Sequence, residues 1–381
     1  MAKYTVKKGK RNYKGTKGDD VFTTGAKVGI FDIYAKGGND KIYIARGNGE
    51  YVNVGEGNDF VQVTGGKVAR ITLSAGKNTI NVTGGQVNKI ESDGYYSKKQ
   101  NDVINVTGQK NIKILTGDGT DRVTVTGIDN DYLSKVSRAR ITTRDGNDVI
   151  TINKGGYNRI EAGAGKDTIT INAGSNYVNG GNGVDTIVVN SKKGNCIYGG
   201  DGADKITIGK NSQRCVVFGG DGQDTITVKS TYGGKTGVWV NGGRGGDTIN
   251  VHYANNTIVV DARSDWDSHD KLKIYADDSA LGSMKYYKKN DVMVINGNAH
   301  ILGFSTLTKI TTVTPFWGSY EFTAKGLIND YAQVVNKAFD ISGLWKEYNS
   351  IKSLASIAPS TTGSTWQHTA AKIMGYKGLY K

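Results

Sequence analysis

The chain is poor in the residues that staple or break folds: 381 residues carry two cysteines, two prolines and four histidines. Two cysteines cannot hold a chain of this length in a disulfide framework, so its stability must come from packing. Cys196 and Cys215 lie one repeat apart, and the sequence leaves open whether they bridge. Scarce proline argues against a proline-rich disordered linker. The histidines (His252, His269, His300 and His368) are scattered, and no HExxH, GxSxG or P-loop pattern occurs, so the chain reads as a non-enzyme. His269 beside Asp265, Asp267 and Asp270 reads as an expanded turn rather than a catalytic centre. No apolar run reaches the length of a membrane-spanning helix. The basic start, MAKYTVKKGKRNYK, has no apolar segment behind it and does not read as a cleaved export signal.

What the chain has in excess is glycine, 54 residues without a three-residue period, which excludes collagen. The glycines belong to a repeat: GAGKDTITI at 163–171, GGNGVDTIVV at 180–189, GGDGADKITI at 199–208 and GGDGQDTITV at 219–228. Each copy is a glycine turn, an aspartate and an alternating apolar run. From Asp20 the marker position falls at Asp40, Asp59, Asn78, Asp102, Asp121, Asp148, Asp167, Asp185, Asp204, Asp224, Asp247 and Asp270. The steps are 20, 19, 19, 24, 19, 27, 19, 18, 19, 20, 23 and 23 residues. A coil of this length holds two short strands and two turns, and coils stack at about 4.8 Å. The expected fold is all-β: a right-handed parallel β-roll or β-solenoid with coils of about 19 residues, spanning 15–275. The long steps contain 92–100 and 126–137, read as bulged surface turns. The second turn of each coil carries Asn158, Asn176 and Asn195 instead of aspartate, a neutral structural edge.

Carboxylates stacked about 5 Å apart repel by about 3 kcal/mol per neighbouring pair at an effective dielectric of 20. A row of them calls for counter-charge. Glycine turns can aim several carbonyls at one point, and carboxylate plus carbonyl oxygen is the ligand chemistry of calcium. The alternative for each single aspartate is a turn cap paired with Lys166, Lys205 or Arg244.

The units GGDGADKITI and GGDGQDTITV resemble the calcium-binding nonapeptide GGxGxDxUx of RTX (repeats-in-toxin) proteins. The resemblance covers roughly 15–275. It implies a parallel β-roll with calcium between consecutive turns, held by Asp40, Asp59, Asp102, Asp121, Asp148, Asp167, Asp185, Asp204, Asp224, Asp247 and Asp270. The turn glycines Gly163, Gly165, Gly181, Gly183, Gly200, Gly202, Gly220, Gly222, Gly243 and Gly245 would contribute backbone. The family pattern returns every nine residues. Here it returns about every 19, so several calcium ions are expected mainly on one edge, with the sites beside Asn78 weakened and the ladder broken between Asp121 and Asp148.

Residues 1–14 read as a basic segment ahead of the roll. Residues 276–322 read as a β cap, with NDVMVINGNAHILGF as a hairpin and Trp317, Tyr320 and Phe322 covering the last coil. Apolar spacing over 326–340 and again from Leu344 predicts short helices in a 323–381 tail, which resembles a type I secretion signal in position. The resemblance implies an extracellular or cell-surface protein, exported without an N-terminal signal. Two roles follow: a calcium-dependent structural protein of the surface-layer, matrix or adhesin type that self-assembles, or a non-catalytic module binding an anionic polysaccharide. The net charge of +14 suits the second. No nucleic-acid partner is expected.

Overall fold

In the computed structural model the described residues are 1–92, 101–127, 138–229, 234–252, 256–261, 270–275, 283–289, 291–295, 299–302, 309–314, 318–322, 325 and 332–335. They form a parallel β-solenoid with coils of about 19 residues. Each coil contributes one strand to each of two parallel sheets.

The inward column of the first sheet begins Phe22, Ile42, Val61, Ile80, Ile104, Val123, Ile150 and Ile169, each paired in register with the next. It continues through Ile187, Ile206, Ile226, Ile249 and Leu272. All are fully buried. Their steps equal those of the aspartates, because each aspartate stands two residues ahead of its inward residue from Asp20 to Asp270. Facing them across the core is the column Ile71, Ile90, Ile114, Ile141, Ile160, Val178, Ile197, Val217 and Val240. β-branched side chains suit both columns, being stiff at χ1 and well packed on a pleated surface. A single coil buries little alone, so stability accrues through stacking.

The solenoid starts earlier than the charge of residues 1–14 suggests. Ala2–Val6 pairs in parallel with Asp20–Thr24, and Asn12–Lys14 with Ile30–Tyr34. Val6 and Tyr13 are buried, so this segment is the first coil and its lysines project from it. Across the long steps the inward column keeps its register, Ile80 pairing with Ile104 and Val123 with Ile150, with a shift only between Val125 and Thr126 at the end of the second pairing.

Near the other end, parallel pairing gives way to antiparallel. Val292–Ile295 pairs antiparallel with both Met284–Tyr287 and Ala299–Leu302, and Lys309–Thr314 with Gly318–Phe322. The side chains of Trp317, Tyr320 and Phe322 lie outside the described residues, as do nearly all of the expected helices. The described part of 326–340 includes a strand, Gln333–Val335, parallel to Met284–Tyr287. No helix among the described residues is long and apolar enough to cross a membrane.

Candidate metal centre

The turn glycines are dictated by stacking. Gly163, Gly181, Gly200, Gly220 and Gly243 pair in one column, and Gly165 pairs with Gly183 in a second. These seven and their counterparts Gly202, Gly222 and Gly245 have φ between +101° and +140°. A Cβ on Gly200 would stand 1.8 Å from the carbonyl oxygen of Gly181. The repeat needs glycine here for both backbone angle and clearance.

This turn aims the aspartate inward. Asp40, Asp59, Asp102, Asp121, Asp148, Asp167, Asp185, Asp204, Asp224, Asp247 and Asp270 are all buried, each at most 2% exposed. They form one continuous ladder. The backbone N–H of each donates to Oδ1 of the marker residue one coil later, at 2.6–3.1 Å from Asp20 to Asp270. This hydrogen-bond ladder runs through the long Asp121–Asp148 step, where the rung is 2.7 Å, and through Asn78, whose Oδ1 accepts from Asp59 and whose N–H donates to Asp102.

The second carboxylate oxygen is the anomaly. Oδ2 of Asp40, Asp59, Asp167, Asp185, Asp204 and Asp224 is buried and accepts no hydrogen bond. No lysine or arginine among the described residues forms an ion pair with any of these six; Arg244 sits instead 3.8 Å from Asp221. Burial pushes their carboxyls up, to about 6 at Asp185, about 7 at Asp40, Asp167 and Asp204, and about 8 at Asp59 and Asp224. Asp102, Asp121 and Asp148 are likewise raised by burial, to about 6, 7 and 6.

Three positions in the same structure show what that oxygen lacks. At Asn78 the amide nitrogen takes the place of Oδ2 and donates to the Ser74 carbonyl. At Asp20, Oδ2 receives the Thr16 N–H at 2.6 Å and the Thr16 hydroxyl at 3.0 Å. There burial still pushes the carboxyl up, but these bonds and the Ala2 N–H outweigh it, leaving it below the usual range. On the opposite edge Asn158 and Asn176 each donate a side-chain N–H to the next asparagine, and Asn195 donates to the Lys193 carbonyl. The asparagine edge satisfies itself. On the aspartate edge Asp40, Asp59, Asp167, Asp185, Asp204 and Asp224 are short of a positive partner among the described residues.

The orphan oxygens face a common feature. The point where a Cβ would stand on Gly180 lies 2.3 Å from Oδ2 of Asp185 and 2.4 Å from the carbonyl oxygen of Gly199. On Gly199 the distances to Asp204 Oδ2 and the Gly219 oxygen are both 2.4 Å, and on Gly219 those to Asp224 Oδ2 and the Gly242 oxygen are both 2.2 Å. Two acceptors from adjacent coils thus converge beside a glycine with no donor between them. Sequence reasoning missed these first glycines (Gly180, Gly199, Gly219 and Gly242), although the doublet GG was their signal. Ala162 holds this position ahead of Asp167, and Thr116 and Thr143 hold it ahead of Asp121 and Asp148, whose carboxyls their hydroxyls pull down. Also missed was an outer ladder through the residue before the aspartate, in which Asn39, Asn58, Asn101 and Asn147 each accept a backbone N–H from the next coil at 2.8 Å.

Among the described residues no three Asp, Glu, His or Cys side chains converge on one point. Asp265, Asp267 and His269 lie outside them. Both cysteines are free; Cys196 pairs in register with Val216, not with Cys215, which occupies the asparagine column and is buried. The chain matches no known protein family, no curated protein and no solved structure.

Proposed function

We propose that the chain is an RTX-like, calcium-loaded structural solenoid of the cell exterior, without catalytic activity. The observation that carries this reading is the row of buried Oδ2 atoms, each needing a positive partner that no described residue provides. The donor set fits the ion: hard carboxylate oxygens, carbonyl oxygens from the adjacent coil, and no nitrogen or sulfur ligand. Asp167, Asp185, Asp204 and Asp224 would supply the carboxylates, and Gly199, Gly219 and Gly242 the carbonyls. Bound calcium would neutralise the row and tie each coil to the next. One carboxylate per step suits weak binding, with Kd values of about 10⁻⁴ to 10⁻³ M, which extracellular calcium satisfies.

The competing way to fill the same gap is a proton on each carboxyl. Far-UV circular dichroism and bound-metal analysis at pH 8, after exhaustive chelation and then during calcium titration, separate the two. Calcium uptake with a gain of β structure or thermal stability supports the proposal. A chain equally folded and stable at pH 8 with no metal bound at millimolar calcium would reject it.

A further inference from the structure

The outer face of the second sheet carries a charge pattern that the calcium reading does not use. Arg70, Lys89, Lys113, Arg140 and Arg159 are consecutive partners in the strand register, one per coil. Each directly precedes a fully inward isoleucine (Ile71, Ile90, Ile114, Ile141 or Ile160), so alternation sends all five outward. Arg70, Lys113 and Arg140 are exposed and Lys89 and Arg159 half-buried.

Like charges directly opposite one another on neighbouring strands destabilise a sheet, and this column repeats that arrangement four times. Basic composition alone does not explain it. In the same coils one outward column of the first sheet is Gln62, Asn81, Asn105, Thr124, Thr151 and Thr170, with no charge, and the other holds a single charge, Arg122. Carboxylates offset only the ends of the cationic column: Glu91 pairs with Arg70 at 3.1 Å and with Lys89, and Glu161 pairs with Arg159. Lys113 and Arg140, at the centre, have no ion pair among the described residues.

We infer that this column is a docking track for a linear acidic polysaccharide lying along the solenoid axis, one carboxylate per sugar ring. The strand separation sets one cation about every 4.8 Å in a straight line. That spacing suits a chain of pyranose rings lying extended, each bearing a carboxylate. Duplex DNA presents a phosphate every 3.4 Å per strand along a helix and leaves a straight track after a few contacts. The neighbouring outward positions are Glu91, Thr142 and Glu161, two residues on from Lys89, Arg140 and Arg159. Their oxygens accept hydrogen bonds from the hydroxyls that flank each carboxylate on a sugar ring, whereas a polyphosphate chain offers no such donors.

The test uses the full chain with calcium present and a fluorescent uronate oligosaccharide of six or more residues, followed by anisotropy at several salt concentrations. The track predicts saturable, salt-sensitive binding and about a tenfold loss, with a shallower salt dependence, in Lys113→Gln/Arg140→Gln. Lys205→Gln, an exposed charge on the other sheet, should bind as the parent does. Circular dichroism confirms that each variant keeps its fold. Unchanged affinity in the double variant, an equal loss in Lys205→Gln, or tighter binding to duplex DNA or to phosphatidylglycerol vesicles would each overturn the assignment. Repeating the titration with chelator in a range where the chain stays folded keeps this result separate from the calcium reading.

Discussion

At the residue scale, the useful contrast is between an aspartate and an asparagine in the same turn. Asn78 holds its rung and satisfies its second atom by donating to Ser74. Asp204→Asn should therefore keep the bond to the Asp185 N–H and add a donor toward the oxygens that now face Oδ2. In chelator at pH 8 this variant should be more stable than the parent by about 1–2 kcal/mol, read from denaturant unfolding. It should also lose part of the stabilisation that calcium brings. A second contrast concerns glycine. Gly200→Ala puts a methyl 1.8 Å from the Gly181 carbonyl at φ +127°, whereas Gly156 has open space around it and no positive φ. Gly200→Ala should cost more than about 3 kcal/mol, and Gly156→Ala should stay within about 0.5 kcal/mol. The carboxyls also set a pH dependence. Their folded values of about 6 to 8 lie above the unfolded value of 3.8, so the folded chain binds more protons between those limits. Without divalent metal, stability should be greatest near pH 4 and fall as pH rises through 6 to 8. Thermal melts in chelator across that range check the sign, and calcium should abolish the decline.

At the scale of the coil, much was legible because one constraint fixes both the marker and the strand. The distance from Asp20 to Asp40, and every later step, reappears in the register of Phe22, Ile42 and their successors. A parallel stack cannot slip without turning its apolar column to water, so spacing in sequence becomes position in space. The neutral asparagine edge was legible for the same reason. The direction of the carboxylates was not, since GGxGxD reads identically whether its aspartate caps a turn outward or lies beneath it. The first coil was hidden by Lys3, Lys7, Lys8 and Lys10, which crowd Val6 and Tyr13. The cationic column was invisible because its members are spread over 90 residues and meet only through register. Within a coil, Ile187 contacts both neighbours through Ile169 and Ile206 and has no exposed surface. Ile187→Ala should cost about 2–5 kcal/mol by chemical denaturation.

At the scale of the molecule, two ladders run through the same turns with opposite sense. In the inner one each coil donates to the coil that follows, and in the outer one each coil donates to the coil before it. The inner ladder gives the solenoid an arrow. A coil's aspartate N–H is satisfied only once its successor is in place, so damage travels backward. Asp204→Ala would strip the acceptor from Asp185, while Asp224 keeps its bond to Asp247. Amide hydrogen exchange resolved by residue should therefore quicken at Asp185 and leave Asp224 slow. During synthesis from the N-terminus the newest coil always carries an unmet N–H, and the next coil to emerge is the piece that closes it.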